Sequence, residues 1–181
     1  MNIEIRKSTP RDIDALCSLF DEARSTIKLL GIDQWQNGYP SEAVISDDMA
    51  RGQSYTVEAD GHLCGTFALI EQGEPTYDSI FDGNWLTGNV KSYAAPSYFA
   101  LHRVAVSVKH RGHGISTAII EFAQEQAIAA GKSSLRIDTH RGNTVMRKML
   151  GKHGFVHCGT IFLDNGDERV AYEKVLQKEL G

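Results

Sequence analysis

The chain has 181 residues, 41% of them hydrophobic and 23% charged, enough for one domain over 1–181 with a real core. A formal net charge of -4 argues against a nucleic-acid binder, no apolar run is long enough to cross a membrane, and the opening MNIEIRKSTP lacks the apolar core of a signal peptide. Cys17, Cys64 and Cys158 form no CxxC pair, so neither a disulfide framework nor a metal site is expected, and the thiols read as reduced residues of a cytoplasmic protein.

Residues 3–8 alternate like a strand. Thr9 then offers an N-cap, Pro10 suits a first helical turn, and Asp12 complements the helix dipole. Ile13, Leu16, Phe20, Ile27 and Leu30 predict one apolar stripe on the helix that follows, and Gly31 ends it. Ser41 caps a second helix to about Arg51, with Val44, Ile45 and Met49 inward. Residues 54–59 and 63–70 read as a hairpin joined through Asp60-Gly61. Residues 73–96 are irregular and carry Tyr77, Trp85 and Tyr93; a connection of that length implies a functional excursion. Residues 98–108 predict a buried strand. A helix with Ile115, Ala118, Ile119, Phe122 and Ala123 inward follows, and Gly131 stops it. A strand over 134–138, a short helix over 143–152 with Val145, Met146, Met149 and Leu150, and strands near 156–163 and 169–176 complete the order β-α-α-β-β-β-α-β-α-β-β. That is an α/β chain with a mixed sheet covered by helices.

The most informative stretch is VAVSVKHRGHGIS, residues 104–116. A β-branched run enters a glycine turn and then an apolar-periodic helix. This arrangement offers bare backbone N–H groups and the positive end of a helix dipole to a phosphate. Gly112 and Gly114 carry no side chain to hold a pyrophosphate away, and Lys109, His110, Arg111 and His113 surround the turn with cationic or protonatable groups. A Walker A loop is excluded because no Gly-Lys-Ser/Thr stands at the required spacing. A dinucleotide fingerprint is excluded because Thr117 occupies the third glycine position.

The segment resembles the pyrophosphate loop of the GNAT superfamily of N-acetyltransferases, Arg/Gln-x-x-Gly-x-Gly/Ala, through Arg111, Gly114 and Ser116. Ser116 replaces the usual Gly or Ala but is small. A second family signature is Asn143 followed by Gly154-Phe155 at matching spacing. The resemblance covers nearly the whole chain. It implies the GNAT acyltransferase fold, a central twisted mixed sheet with splayed fourth and fifth strands flanked by helices.

The same resemblance implies acetyl-CoA as the cofactor. It would be held by the backbone near Val104 and Val106, by Arg111, Gly112, His113, Gly114, Ile115 and Ser116, and by Asn143. Asn143 is also a favoured N-cap, and both roles can hold together. The implied activity is transfer of the acetyl group to a primary amine of a small molecule in a ternary complex. His102, on the fourth strand, is the leading candidate for the general base and equally suits a structural histidine of the sheet edge. Asp138 and His140 are the alternatives, although Arg136 or Arg141 can instead pair with Asp138. A Tyr often placed four residues before the Gly-Phe pair, as acid to the leaving thiolate, is here Leu150. Tyr172 or a water would have to replace it. Family acceptor specificity lies in the loop between the first two helices and in the third-to-fourth strand connection, which nominates Trp35, Tyr39 and Trp85 for acceptor binding. The same rings also suit hydrophobic pins for long loops. The rival readings are acetylation of a protein N-terminus or lysine, and a non-catalytic acyl-CoA-binding regulatory module. Homodimers are common in the family, and the C-terminal strands offer edges for pairing.

Overall fold

A computed structural model of the chain describes residues 1–89 and 91–176. The strands are β1 (Ile3–Lys7), β2 (Ser54–Ala59), β3 (His62–Ile70), β4 (Tyr98–Val106), β5 (Ser134–Thr139), β6 (Val156–Phe162) and β7 (Glu168–Val175). The helices are α1 (Ile13–Leu29), α2 (Glu42–Ala50), α3 (Ile115–Ala129) and α4 (Thr144–Lys152). The strands form one seven-stranded sheet in the order β1-β2-β3-β4-β5-β7-β6. The β1–β2, β2–β3, β5–β7 and β6–β7 pairs are antiparallel. β4 pairs with β5 in parallel over Tyr98–Ala100, opposite Ser134–Arg136, and β4 then runs on to Val106. The chain divides into two compact units, Met1–Leu69 with His102–Ile120, and Ile70–Leu101 with the described residues from Glu121 onward. No helix among the described residues is long and apolar enough to cross a membrane.

In the first unit, Thr9 and Asp12 close a capping box, and Arg6 grips Asp12 through Nη1 at 2.9 Å and Nη2 at 2.8 Å. The core joins Leu16, Leu19 and Phe20 of α1 to Ile45 of α2 and Ala105 of β4. The stripe predicted for α1 is therefore only partly the buried one. Leu19 replaces the outer positions, and Leu30 is exposed at the helix end. The predicted hairpin turn is present: Asp60 and Gly61 both have positive φ, 50° and 79°, the type I′ pattern between Ala59 and His62. The strand predicted to reach residue 108 stops at Val106. Ser107 N–H bonds to Cys64 C=O at 2.8 Å, and the chain tightens into a 3₁₀ turn over Val108–His110.

In the second unit, the 73–96 excursion enters the core. Tyr77 and Trp85 pack with Tyr98, Ala100, Cys158, Ile161 and Ala171. Phe81 bridges to Thr160 of β6. Gly83 lies so close to β6 that a Cβ there would stand 1.9 Å from the Cys158 carbonyl oxygen, and one at Gly159 would stand 2.6 Å from that of Phe81. Beneath the excursion, Arg136 and Glu173 are both fully buried and ion-paired, Nε to Oε1 at 2.9 Å. The Arg136 guanidinium lies 4.2 Å from the Trp85 ring centre and 4.1 Å from that of Tyr98. Its Nη2 donates to Gly88 C=O at 2.8 Å. Glu173 also accepts from Ser134 Oγ and Thr87 Oγ1, each at 2.6 Å, and from the Leu86 and Thr87 amides. Arg136 is therefore not the partner of Asp138, and Arg141 pairs with Glu168. On α4, Leu150 is fully buried and Val145 is exposed.

Candidate functional site

The turn from β4 into α3 is built by three local choices. Gly112 and Gly114 have φ of 79° and 84°, a region that costs other residues about 1–2 kcal/mol. A Cβ at either position would meet nothing within 4 Å, so these glycines serve the turn and its open approach rather than packing. Ile115, only 1% exposed, anchors the turn against β3, where Gly65 leaves it room; a Cβ at Gly65 would stand 3.2 Å from Ile115 Cγ2. The first intrahelical bond of α3 runs from Ala118 N–H to Gly114 C=O at 3.0 Å. The amides ahead of it lie at the positive end of the helix, beside an exposed Arg111, Gly112, His113 and Gly114. Glu22 of α1 accepts the Val108 N–H and ties down the preceding turn. These features suit a ligand carrying phosphate.

On β4, His102, Val104 and Val106 are half-buried. Between the first two stands a residue that sequence reasoning missed. Arg103 has φ +54° inside the strand, and its guanidinium meets Asp48 of α2, Nε to Oδ2 at 2.7 Å and Nη2 to Oδ1 at 2.8 Å. Arg103 Nη1 donates to Tyr39 Oη at 2.7 Å. Burial pushes the Asp48 carboxyl above its ordinary value, and the Arg103 and His102 charges offset this only in part. Asp48 lies three residues from the buried Ile45, on the inward face of α2. A carboxylate at helical spacing on an apolar face needs a cation, and that was the available signal.

The expected acceptor residues separate. Trp35 is half-buried with φ +66°, packs edge-on to Phe20 at 5.8 Å and lies 6.5 Å from Tyr39. The Tyr39 carbonyl accepts from Arg24. Trp85 is 4% exposed, and its indole N–H donates to Tyr77 C=O at 3.0 Å. Its N–H and one ring face are thus taken up inside the second unit, as suits a pin for the long loop. Trp85→Phe is expected to cost about 1–2 kcal/mol through the lost hydrogen bond and weaker cation–π contact. Denaturant unfolding checks this, and an unchanged midpoint would contradict the packing.

In the second unit, Asp138 accepts from Tyr77 Oη at 2.7 Å. His140 Nδ1 accepts from Gly142 N–H at 2.9 Å, which engages one ring lone pair. Asn143 caps α4, its Oδ1 accepting from Met146 N–H at 3.1 Å. Tyr172 Oη accepts from Arg147 Nε at 3.0 Å.

The fourth strand of a mixed sheet thus turns through two left-handed glycines onto the first turn of α3, and the family match of the sequence makes the protein an acyltransferase. The chain belongs to the acetyltransferase (GNAT) family, whose model matches residues 14–155. An acetyltransferase of the GNAT family from Streptococcus agalactiae shares 36% identity, with 97% of this chain and 96% of that one covered and a TM-score of 0.80. Two further structures share the fold. One is a GNAT-family acetyltransferase from Listeria monocytogenes, 24% identical, covering 96% and 95% at a TM-score of 0.70. The other is the PaiA N-acetyltransferase of Thermoplasma acidophilum in complex with coenzyme A, 19% identical, covering 97% and 99% at a TM-score of 0.70. No curated protein matches the sequence significantly.

Proposed function

We propose that the chain transfers the acetyl group of acetyl-CoA to a primary amine of a small molecule, directly and with both partners bound. The open, left-handed turn at Gly112–Gly114, leading onto the first-turn amides of α3, carries this reading. The turn fits a pyrophosphate, with Arg111, Gly112, His113, Gly114, Ile115 and Ser116 supplying amides and charge. The β4 backbone at Val104 and Val106 would hold the pantetheine arm. Bound acetyl-CoA supplies an activated thioester.

His102 would take the proton of the acceptor amine so that a neutral nitrogen could attack the thioester carbon. The Val104 N–H would donate to the carbonyl oxygen as charge develops there, and the C–S bond would break to release coenzyme A as a thiolate that takes its proton from water. Asp138 remains an alternative base. Burial raises the thiol pKa of Cys17, Cys64 and Cys158, which disfavours an acetyl-cysteine step. Three free thiols also suit the cytoplasm. Trp35 and Tyr39 select the acceptor. Their loop is tied to α1 and β4 through Arg24 and Arg103, which suits a small acceptor of defined shape more than a protein chain. A non-catalytic acyl-CoA-binding module is the second reading, favoured by the fully buried Leu150 at the expected acid position.

A panel of spermidine, tyramine, glycinamide and a short lysine peptide, read by thiol release from acetyl-CoA, separates these readings. Transfer to a small amine supports the proposal, preference for the peptide favours a protein acceptor, and cofactor binding without transfer favours the module. Calorimetry tests the loop. Gly114→Val puts a β-branched residue at φ +84°, a strain of about 1–3 kcal/mol that the turn relieves by moving its amides. Acetyl-CoA affinity is expected to fall roughly 10–100-fold, and unchanged affinity in a folded variant overturns the phosphate assignment.

A further inference from the structure

Five non-glycine residues among those described have positive φ: Trp35, Asp60, Asp82, Ala95 and Arg103. Arg103 alone of these lies inside a strand. Its guanidinium is also held by an ion pair and by hydrogen bonds from Nη1 and Nη2. Two Asp48 oxygens and the Tyr39 hydroxyl hold the guanidinium at 2.7–2.8 Å, and the Arg103 and Asp48 side chains are only 11% and 10% exposed. A left-handed arginine is costly, and a buried ion pair rarely repays its own desolvation. Two such costs meet at the residue between His102 and Val104.

We propose that Asp48 and Arg103 are positioning residues, whose buried ion pair locks the left-handed bend of β4 and so aims the His102 imidazole and the Val104 N–H. In a strand, neighbouring side chains alternate between faces. A residue pulled out of the extended conformation changes where both of its neighbours point. Released from Asp48, residue 103 returns toward the extended region, and the peptide groups on either side rotate with it. The inference rests on the reading of His102 and Val104 as site residues. It adds α2, through Asp48, to the machinery.

The test pairs a lesion with two rescues in the full chain. Asp48→Asn removes the anchor and is expected to lower kcat roughly tenfold or more, measured with acetyl-CoA and the best amine of the panel above. A second substitution then removes the stranded arginine charge in two ways. Asp48→Asn with Arg103→Gly permits φ +54° without an anchor, whereas Asp48→Asn with Arg103→Met does not. The glycine double variant is expected to recover kcat to within about threefold of the wild type, and the methionine variant to stay low. In nuclear magnetic resonance spectra, the His102 ring and Val104 amide signals should match the wild type in the glycine variant and move in the methionine variant. Equal recovery by both, or full kcat in Asp48→Asn, would show that the pair only balances buried charge. If the wild type transfers acetyl to no amine, the base reading of His102 falls, while the resonance shifts still decide whether the pair sets the bend.

Discussion

Replacing His102 with alanine is expected to slow acetyl transfer by about 10²–10⁴-fold, the usual contribution of a general base. The imidazole accepts a proton only when neutral, so wild-type activity at saturating acceptor should rise with pH and then level off. The variant should lose that ascending limb. Its affinity for acetyl-CoA should stay within a few fold, because Arg111–Gly114 and the amides of α3 lie on a separate segment from the His102 side chain. Steady-state kinetics across pH, with calorimetric titration of the same preparations, check both halves. A severalfold loss with the limb intact would move the proton to Asp138, His140 or water.

The largest effect on stability is expected at Arg136. Arg136→Met leaves the fully buried Glu173 without its cation, and breaking such a pair costs about 3–5 kcal/mol. For a chain of this length that lowers Tm by roughly 10 °C. Burial alone would raise the Glu173 carboxyl, but hydrogen bonds from Ser134 and Thr87 and the Arg136 charge outweigh it and hold it below the ordinary glutamate value. The sign follows from linkage. The depressed carboxyl contributes its full stability above its unfolded value and loses it as pH falls through the lower folded value. Glu173→Gln should flatten that acid limb in pH-dependent unfolding, and an unchanged limb would assign acid sensitivity to other carboxylates. The double variant Arg136→Met/Glu173→Gln should recover part of the loss.

These two predictions also mark where sequence reading works. The element order follows from short-range patterns that tertiary packing did not override: Ser41 caps α2, Asp60-Gly61 closes the hairpin and Asn143 caps α4. The left-handed turn from β4 into α3 was readable because Gly112 and Gly114 set its geometry within a few residues. The Arg103–Asp48 and Arg136–Glu173 pairs were not. Their members are 55 and 37 residues apart, so no local spacing names the partner of either charge. The packing of Trp85 was not readable for a different reason: an aromatic ring in a polar loop suits a pocket or a pin equally, and its contacts with Tyr77 and Arg136 form only on folding.

The near-contact of Gly83 with the Cys158 carbonyl bears on how new acceptor preferences can be built into this scaffold. Residues 80–83 and the bulged stretch of β6 at His157–Gly159 meet backbone against backbone, each through a glycine. A loop transplanted from a relative over 73–96 would carry its own side chain to that junction and force the two segments apart unless the recipient β6 were exchanged with it. The two segments therefore form one interchangeable cassette despite the roughly 75 residues between them in sequence. The loop over 31–40 has no such backbone junction at Gly31 or Gly38 and is tied instead through side chains, Trp35 on Phe20 and Tyr39 on Arg103.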